Sequence, residues 1–216
     1  MAHLLFKPER EPVDPRIRTP ARLIVHGSSA SGKTELCKEL IRRCDTLFDR
    51  PPGLVLVCYK GQPDQYKDLL NDPRVMLQEG WPDTRMLMNV RHPPSLVFID
   101  DQLDQLDKAV DLFIRFSHHH DCSLLVSTQS LFHKNMRVLR LNATGFFFLK
   151  SPSDQSSINA ICYQLNPRKR DKILRAYQEA TRENYTHLFV DCALDTDDRF
   201  RLRSNVTGVP QVYYGT

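Results

Sequence analysis

Short runs of consecutive apolar residues alternate with helical patterns along this chain. The runs cover residues 23–25, 54–58, 96–99, 124–126 and 146–149, and each is rich in Val, Ile, Leu or Phe. Runs of this length are typical of strands that are buried on both faces of a parallel sheet. Amphipathic patterns between the runs predict helices at residues 35–43, 63–70, 103–116 and 154–164. This order of elements predicts a three-layer α/β fold with a mainly parallel central sheet.

The two ends of the chain differ from this alternating region. Residues 1–20 contain several prolines among charged residues, a composition that favours an extended arm over a packed element. After residue 166, a basic helix is predicted at 169–180 and a strand at 187–190. We therefore expect an N-terminal arm at 1–20 and a single domain at 21–216, whose C-terminal part from about residue 166 is basic.

The last predicted element is a strand at residues 199–203. Arg199, Arg201 and Arg203 alternate there with Phe200 and Leu202. Alternation of charged and apolar residues is typical of a strand with one solvent-facing side. The pattern predicts an edge strand with one charged face.

A phosphate-binding loop directly follows the first apolar run. The motif G-x-x-x-x-G-K-[ST] needs glycines where the backbone curls around phosphates, a lysine that reaches the β- and γ-phosphates, and a hydroxyl that ligates Mg²⁺. Lys33 and Thr34 supply the last two groups, and a predicted helix follows, whose N-terminus adds positive partial charge. The alternative is a turn rich in glycine and serine between a strand and a helix. The predicted nucleotide-binding residues are Gly27, Ser28, Ser29, Ala30, Ser31, Gly32, Lys33 and Thr34.

The run at residues 96–99 ends in two carboxylates, Asp100 and Asp101. In P-loop ATPases a carboxylate at this place holds the hydration shell of Mg²⁺, and the next acidic residue activates the attacking water. Asp100 is therefore the predicted metal residue, acting through water, and Asp101 the predicted general base. Aspartate is one methylene shorter than the glutamate that many such ATPases carry, which leaves the identity of the base open.

A polar cluster follows the run at 124–126. Side chains at the carboxyl ends of neighbouring parallel strands meet at one edge of a sheet, where ligands bind. Gln129 is therefore the candidate that senses the γ-phosphate or orients the attacking water, with a turn or helix cap as the alternative.

Composition restricts the function further. The chain has 30 Lys and Arg against 26 Asp and Glu, a net charge of +4. Basic residues concentrate at 168–203, which favours either contact with nucleic acid or an ordinary solvated surface. The six cysteines are dispersed without a C-x-x-C pair, so we expect reduced thiols. Because no apolar stretch is long enough to span a bilayer and no signal pattern is present, we expect an intracellular protein without a membrane partner.

In combination, these motifs resemble the additional-strand P-loop ATPases of the FtsK/HerA superfamily. The resemblance covers residues 22–149 and is strongest to the viral genome-packaging ATPases of poxviruses, giant viruses, virophages and Polinton transposons. It includes residues 136–142 and the strand at 145–149 that follows, which are similar to the Arg-x-Asn region of that family. The phosphate loop alone is common to many families, so the resemblance depends on the combination.

The resemblance implies a RecA-like core that hydrolyses ATP with Mg²⁺. It also implies a homo-oligomeric ring that moves double-stranded DNA into a capsid at its portal vertex, in the cytoplasm or nucleus of an infected cell or on the virion. Such rings place an arginine from one subunit against the γ-phosphate of the next, where it stabilises charge in the transition state. Arg140 is the first candidate for this arginine finger, and Arg137 and Arg115 are the others.

Other functions share parts of this pattern. A small-molecule kinase, such as a nucleoside or nucleotide kinase, would also have the phosphate loop. However, Asp100, Asp101 and Gln129 favour water as the acceptor of the phosphoryl group. A regulatory GTPase would need an N-K-x-D motif, which the sequence lacks. A non-catalytic nucleic-acid-binding protein would not need Lys33, Thr34 and Asp100 together. ATPase activity with and without double-stranded DNA separates these alternatives.

Overall fold

The computed structural model describes residues 14–88, 94–102, 105–134 and 136–213. Residues 1–13 of the predicted arm and residues 103–104 of a predicted helix lie outside these ranges. The described residues form one nine-stranded sheet with helices on both faces.

The sheet has the strand order β3-β2-β4-β5-β1-β6-β7-β8-β9. The strands from β3 to β6 in this order are parallel, and β7, β8 and β9 add antiparallel pairs at one side. This mostly parallel sheet confirms the predicted α/β fold. The strands are β1 (Arg22–His26), β2 (Leu54–Tyr59), β3 (Val75–Glu79), β4 (Ser95–Asp100), β5 (Cys122–Thr128), β6 (Gly145–Leu149), β7 (His187–Asp191), β8 (Leu202–Ser204) and β9 (Gln211–Val212).

Helices connect the strands and cover the sheet. In the described part of the chain, none of them is long and apolar enough to cross a membrane. The α-helices are α1 (Lys33–Arg42), α2 (Cys44–Leu47), α3 (Thr84–Met88), α4 (Leu106–Asp111), α5 (Ser117–His119), α6 (Met136–Asn142), α7 (Gln155–Leu165) and α8 (Arg170–Ala180). A π-helix (Leu112–Phe116) joins α4 to α5, and 3₁₀ helices cover Pro63–Asn71, Pro152–Asp154, Pro167–Lys169 and Asp198–Phe200.

Alternating residues of each central strand enter two hydrophobic cores, one on each face of the sheet. In β1, Leu23 and Val25 pack with α1 and the helix at Pro63–Asn71, whereas Ile24 packs on the opposite face with residues of α6, α7 and α8. Because both faces are covered, the strands are apolar at consecutive positions, which is the pattern visible in the sequence. The three layers therefore follow from burial of both faces.

Some predicted elements differ from the observed ones. The helix predicted at 63–70 is a 3₁₀ helix, and the predictions missed β3 and β9. In β3, Val75 is buried whereas Met76 is 42% exposed. Because β3 is an edge strand that is only partly covered, it lacks the continuous apolar run of a central strand.

The edge strand predicted at 199–203 is wrong. Residues Asp198–Phe200 form a 3₁₀ helix, and β8 begins at Leu202 and lies between β7 and β9. Arg203 is 2% exposed, and its Nη2 lies 2.7 Å from Oδ2 of Asp191 on β7. The alternation of charge resembled a solvent-facing strand because the sequence does not show which carboxylate partners a buried arginine.

The part of the predicted arm that the structure describes lies against the domain. Ile17 is buried and pairs with Phe48 in an isolated β-bridge. Its backbone N–H donates to the Leu47 carbonyl at 2.7 Å, and its carbonyl accepts from Asp49 N–H at 3.0 Å. These contacts anchor residue 17 to the segment that follows α2.

Candidate active site

The phosphate loop occupies residues 27–32, between the end of β1 and the start of α1. Ala30 has φ 58° and Gly32 has φ 94°, so the backbone turns through the left-handed region twice. A Cβ at position 27 would clash with Ser31 Oγ and lie 3.0 Å from Leu149 Cβ, so glycine fits this position best. These constraints produce the curled backbone that the motif predicts.

Lys33 closes over this loop. The residue is buried, and its Nζ donates to the carbonyls of Gly27 at 3.0 Å and Ser28 at 2.9 Å. Burial lowers the pKa of Lys33, and the negative charges of Asp101 and Asp100 act in the opposite direction. The ammonium group is therefore held at the loop, where its charge faces two carboxylates.

The loop also contains an unsatisfied polar group. Ser31 Oγ is buried without a hydrogen-bond partner. A buried hydroxyl without a partner is costly, and a bound phosphate oxygen would satisfy it. The curled backbone, Lys33 and this hydroxyl fit a nucleotide phosphate.

Asp100 is the centre of a hydrogen-bonded cluster at the end of β4. Thr34 Oγ1 donates to its Oδ2 at 3.1 Å, Tyr66 OH donates to the same oxygen, and Ser127 Oγ donates to Oδ1. The two residues predicted to act at the metal, Thr34 and Asp100, are thus in direct contact. They come together because β4 lies two strands from β1 and both strands end at the same edge.

The oxygen atoms of Thr34 and Asp100 suit Mg²⁺. Mg²⁺ prefers oxygen ligands and is commonly held by one or two protein groups, together with waters and substrate phosphates. The described residues contain no cluster of three or more His, Cys, Asp or Glu that could hold a metal on its own. A hydroxyl and one carboxylate beside a phosphate loop therefore fit Mg²⁺ that arrives with a nucleotide.

Asp101 and Gln129 form a second pair at the same edge. Gln129 directly follows β5, and its Nε2 donates to Asp101 Oδ2 at 2.6 Å. Both residues are exposed, and Asp101 has φ 45°. The backbone N–H of Asp101 donates to Ser127 Oγ at 3.1 Å, which links this pair to the Asp100 cluster. The predicted base and the predicted sensor are therefore adjacent.

Arg140 lies on α6 and is held by its own chain. Its guanidinium donates to the Leu131 carbonyl through Nη1 and lies 4.2 Å from the centre of the Phe132 ring. Burial lowers the pKa of Arg140. The structure thus does not bring Arg140 together with the phosphate loop of the same subunit.

The other two arginine-finger candidates are more exposed than Arg140. Arg137 lies on α6 and is exposed. Arg115 is 79% exposed, and its Nη1 lies 3.6 Å from Asp111 Oδ1. Both side chains therefore lie on the surface.

Two aromatic residues of the site were not predicted. Tyr66 contacts Asp100 but precedes it by 34 residues, within a segment that shows only a helical pattern. Tyr185 lies against Gly32: a Cβ added at Gly32 would be 3.0 Å from Tyr185 Cδ1. Neither residue belongs to a motif, so only the packing of distant segments shows their positions.

The basic C-terminal part carries many ion pairs. Lys169 Nζ lies 3.2 Å from Asp198 Oδ2, and the same carboxylate group accepts from Arg201 at 2.6 Å. Arg170 Nη1 lies 2.9 Å from Asp171 Oδ1. The positive charge that the sequence suggests is therefore reduced by neighbouring carboxylates.

Comparison with known proteins identifies the fold. No protein-family model matches the sequence, and no curated protein matches it significantly. Among solved structures, the genome packaging NTPase B204 from Sulfolobus turreted icosahedral virus 2, in complex with AMPPCP, has a TM-score of 0.60 and 13% identity. The similarity covers 94% of this chain and all of that one. A second structure, that of the DNA-packaging ATPase B204 from Sulfolobus turreted icosahedral virus, has a TM-score of 0.59 and 13% identity. The similarity covers 93% of this chain and all of that one.

A bacterial secretion ATPase has a similar fold. The cytoplasmic domain of the type VII secretion ATPase EccC from Thermomonospora curvata has a TM-score of 0.54 and 14% identity. The match covers 85% of this chain and 26% of EccC. This chain therefore has the P-loop NTPase fold of the packaging NTPase B204 and of the secretion ATPase EccC, as its resemblance to the FtsK/HerA superfamily predicts.

Proposed function

We propose that this chain is a Mg²⁺-dependent ATPase that moves double-stranded DNA into a viral capsid. The observation that carries this proposal is the convergence of Lys33, Thr34, Asp100, Asp101 and Gln129 at one edge of the sheet. The fold shared with B204 supports packaging as the process that hydrolysis drives.

The residues of the site divide the chemistry. Loop N–H groups and the Lys33 ammonium bind the triphosphate and stabilise charge that develops on it. Thr34 and Asp100 would hold Mg²⁺, Asp100 through water; the ion, when bound, neutralises phosphate charge. The Asp101 carboxylate takes the proton of the attacking water, and Gln129 holds that carboxylate through its amide. The contact between Asp101 and Gln129 supports water as the acceptor.

Packaging also requires partners. We propose that the chain forms a homo-oligomeric ring at the portal vertex of a capsid and that an arginine, first Arg140, completes the site of the neighbouring subunit. DNA contact is proposed for the basic C-terminal part, where Arg168, Lys169 and Arg175 are exposed. Because contact with DNA phosphates depends on charge, it needs no base reading.

ATP hydrolysis, measured with and without double-stranded DNA, tests this function. We expect DNA to stimulate ATP hydrolysis by the wild type. We expect the Lys33→Ala variant to have no ATP hydrolysis. Lys38→Ala is the matched control, because Lys38 is a buried lysine of the same helix that pairs with Asp68 instead of the loop. Normal hydrolysis by Lys33→Ala would overturn the assignment of the active site. A wild-type hydrolysis rate that does not change with DNA would overturn the proposed DNA-moving function.

DNA binding at different salt concentrations tests the proposed contact surface. Each phosphate contact contributes about −0.9 to the slope of log K against log salt for double-stranded DNA. Replacing Arg168, Lys169 and Arg170 together by Ala should therefore make the slope shallower by up to about 3. An unchanged slope would assign these residues to a solvated surface.

A further inference from the structure

A cavity of about 790 Å³ opens beside the phosphate loop. One wall is α1, and the other is formed by the C-terminal end of α8, the loop before β7 and the ends of β8 and β9. Gly32 and Tyr185 are among its lining residues. The cavity is therefore continuous with the loop that would hold phosphates.

The strand order sets the direction in which a nucleotide would lie. Asp100 ends β4 and Gln129 follows β5, both on one side of β1. These residues would meet the γ-phosphate, the reacting end of the nucleotide. The cavity lies on the other side of β1, beyond β6, where β7 begins and β8 ends. A nucleotide whose γ-phosphate is at Asp101 therefore directs its nucleoside toward the cavity.

Tyr185 offers an aromatic face at the boundary between loop and cavity. The side chain is 72% exposed, and its ring lies against Gly32. Its backbone has φ 65°, a left-handed conformation that is rare for an aromatic residue. An exposed aromatic ring beside a phosphate loop can stack on a base, because every base has a π-face.

The charge of the cavity fits a nucleoside better than a phosphate. Four glutamates line it (Glu35, Glu39, Glu179 and Glu183), against one arginine (Arg182). Of the four, Glu35 pairs with Lys38, and Glu39 pairs with Arg42 and Arg43. Carboxylates repel further phosphate but accept hydrogen bonds from ribose hydroxyls and exocyclic amino groups. Ser204 and Asn205 add a hydroxyl and an amide to the lining.

We propose that this cavity binds the nucleoside end of the nucleoside triphosphate, with the base stacked on Tyr185 and the ribose hydroxyls toward the glutamates. This inference rests on the proposed function, because it places the rest of the nucleotide whose phosphates that function assigns to the loop. Tyr185 then contributes affinity for nucleoside and none for phosphate.

Dissociation constants for ATP and for inorganic tripolyphosphate, measured with Mg²⁺ by titration calorimetry on the full chain, test the proposal. Tyr185→Ala should weaken ATP binding by roughly tenfold or more, because loss of one base–aromatic stack has an effect of this size. It should leave tripolyphosphate binding unchanged. Tyr185→Phe keeps the ring and should bind ATP like the wild type.

Two other variants control the comparison. Tyr163→Ala removes another exposed tyrosine, on α7 outside the cavity, and should change neither constant. Tyr185→Leu keeps an apolar cover on Gly32 without a ring, so it should lose ATP affinity even if Tyr185→Ala does not fold. Circular dichroism checks the fold of each variant.

The outcomes separate this inference from the proposed function. ATP affinity that is unchanged in folded Tyr185→Ala or Tyr185→Leu overturns the base site while the ATPase stands. Equal weakening of ATP binding and tripolyphosphate binding also overturns it. The Tyr185 ring would then act by supporting the phosphate loop and not by stacking on the base. A wild-type chain that binds neither ligand overturns the proposed function and this inference together.

Discussion

The Tyr66 hydroxyl donates a hydrogen bond to Oδ2 of Asp100, the same oxygen that accepts from Thr34. Tyr66 is 1% exposed, and its ring lies edge-on to Phe98, a buried residue of β4. Burial raises the pKa of Tyr66, as does the adjacent Asp100 charge, so the phenol remains a donor. Tyr66 is therefore a positioning residue that holds the carboxylate predicted to act at the metal.

Tyr66→Phe should raise the Mg²⁺ concentration needed for half-maximal ATP hydrolysis. Loss of a group that orients a metal ligand commonly reduces metal affinity about 10- to 100-fold, and we expect roughly tenfold here. The ring and its packing remain. A Mg²⁺ titration of hydrolysis measures the effect, with Tyr59→Phe, which alters the ring neighbour of Tyr66, as the control. Identical Mg²⁺ dependence in Tyr66→Phe and the wild type would show that the hydroxyl does not position Asp100.

The two adjacent aspartates should respond differently to amidation. Asp101→Asn should keep ATP affinity and reduce the rate of hydrolysis by about 10²–10⁴, the usual contribution of a general base. Asparagine tolerates the left-handed backbone at this position, so the loop keeps its shape. Single-turnover hydrolysis and ATP binding measure the two effects. Normal hydrolysis by Asp101→Asn would show that another residue is the general base.

Asp100→Asn is expected to lower Mg²⁺-dependent binding and hydrolysis together. The amide keeps the size of the side chain but removes the charge that faces Lys33 and the metal. ATP binding measured with Mg²⁺ and with EDTA separates the metal effect from the phosphate effect. Equal ATP affinity of variant and wild type in Mg²⁺ would contradict a metal role.

Arg140→Ala should reduce hydrolysis while ATP still binds. Because Arg140 also contacts Leu131 and Phe132 in its own chain, loss of activity in the single variant does not by itself identify a finger. Mixing Arg140→Ala with Lys33→Ala should restore part of the activity, since some interfaces then pair an intact Lys33 with an intact Arg140. The same mixture with Arg137→Ala compares the second candidate. Mixtures with no more activity than their components would exclude Arg140 as a residue that acts in trans.

Acid should destabilise the fold through two buried histidines. Burial lowers the pKa of His26 and of His187 to about 4. Both values lie below the ordinary value of 6.5, so the unfolded chain binds more protons between pH 6.5 and 4. The free energy of unfolding should therefore fall as the pH is lowered through this range, by about 3 kcal/mol for each histidine.

Urea unfolding at several pH values between 7 and 4.5 measures this loss. His187→Gln keeps an acceptor for the Val206 N–H and should reduce the pH dependence by about half. His133→Gln removes an exposed histidine and is the control. A free energy of unfolding whose pH dependence is the same in His187→Gln and the wild type would contradict the role of His187.

The phosphate loop, the central strands and the acidic residues at the end of β4 can be predicted from the sequence alone. These features depend on residues that are neighbours in the chain. A Cβ at Gly27 would clash with the side chain of Ser31, which is close in sequence, and a strand buried on both faces is apolar at consecutive positions. Constraints of this kind depend only on residues that are close in the sequence. The alternation of strands and helices therefore predicts an α/β fold.

The distant side chains that complete the site are identified only by the folded structure. Tyr66 reaches Asp100, and Tyr185 reaches Gly32, through the packing of segments that no motif connects. Arg203 belongs to a charged pattern in the sequence, yet its pair with Asp191 lies in the interior. Such a partner is set by how strands and helices pack together. The residues next to a side chain in the sequence do not specify that packing.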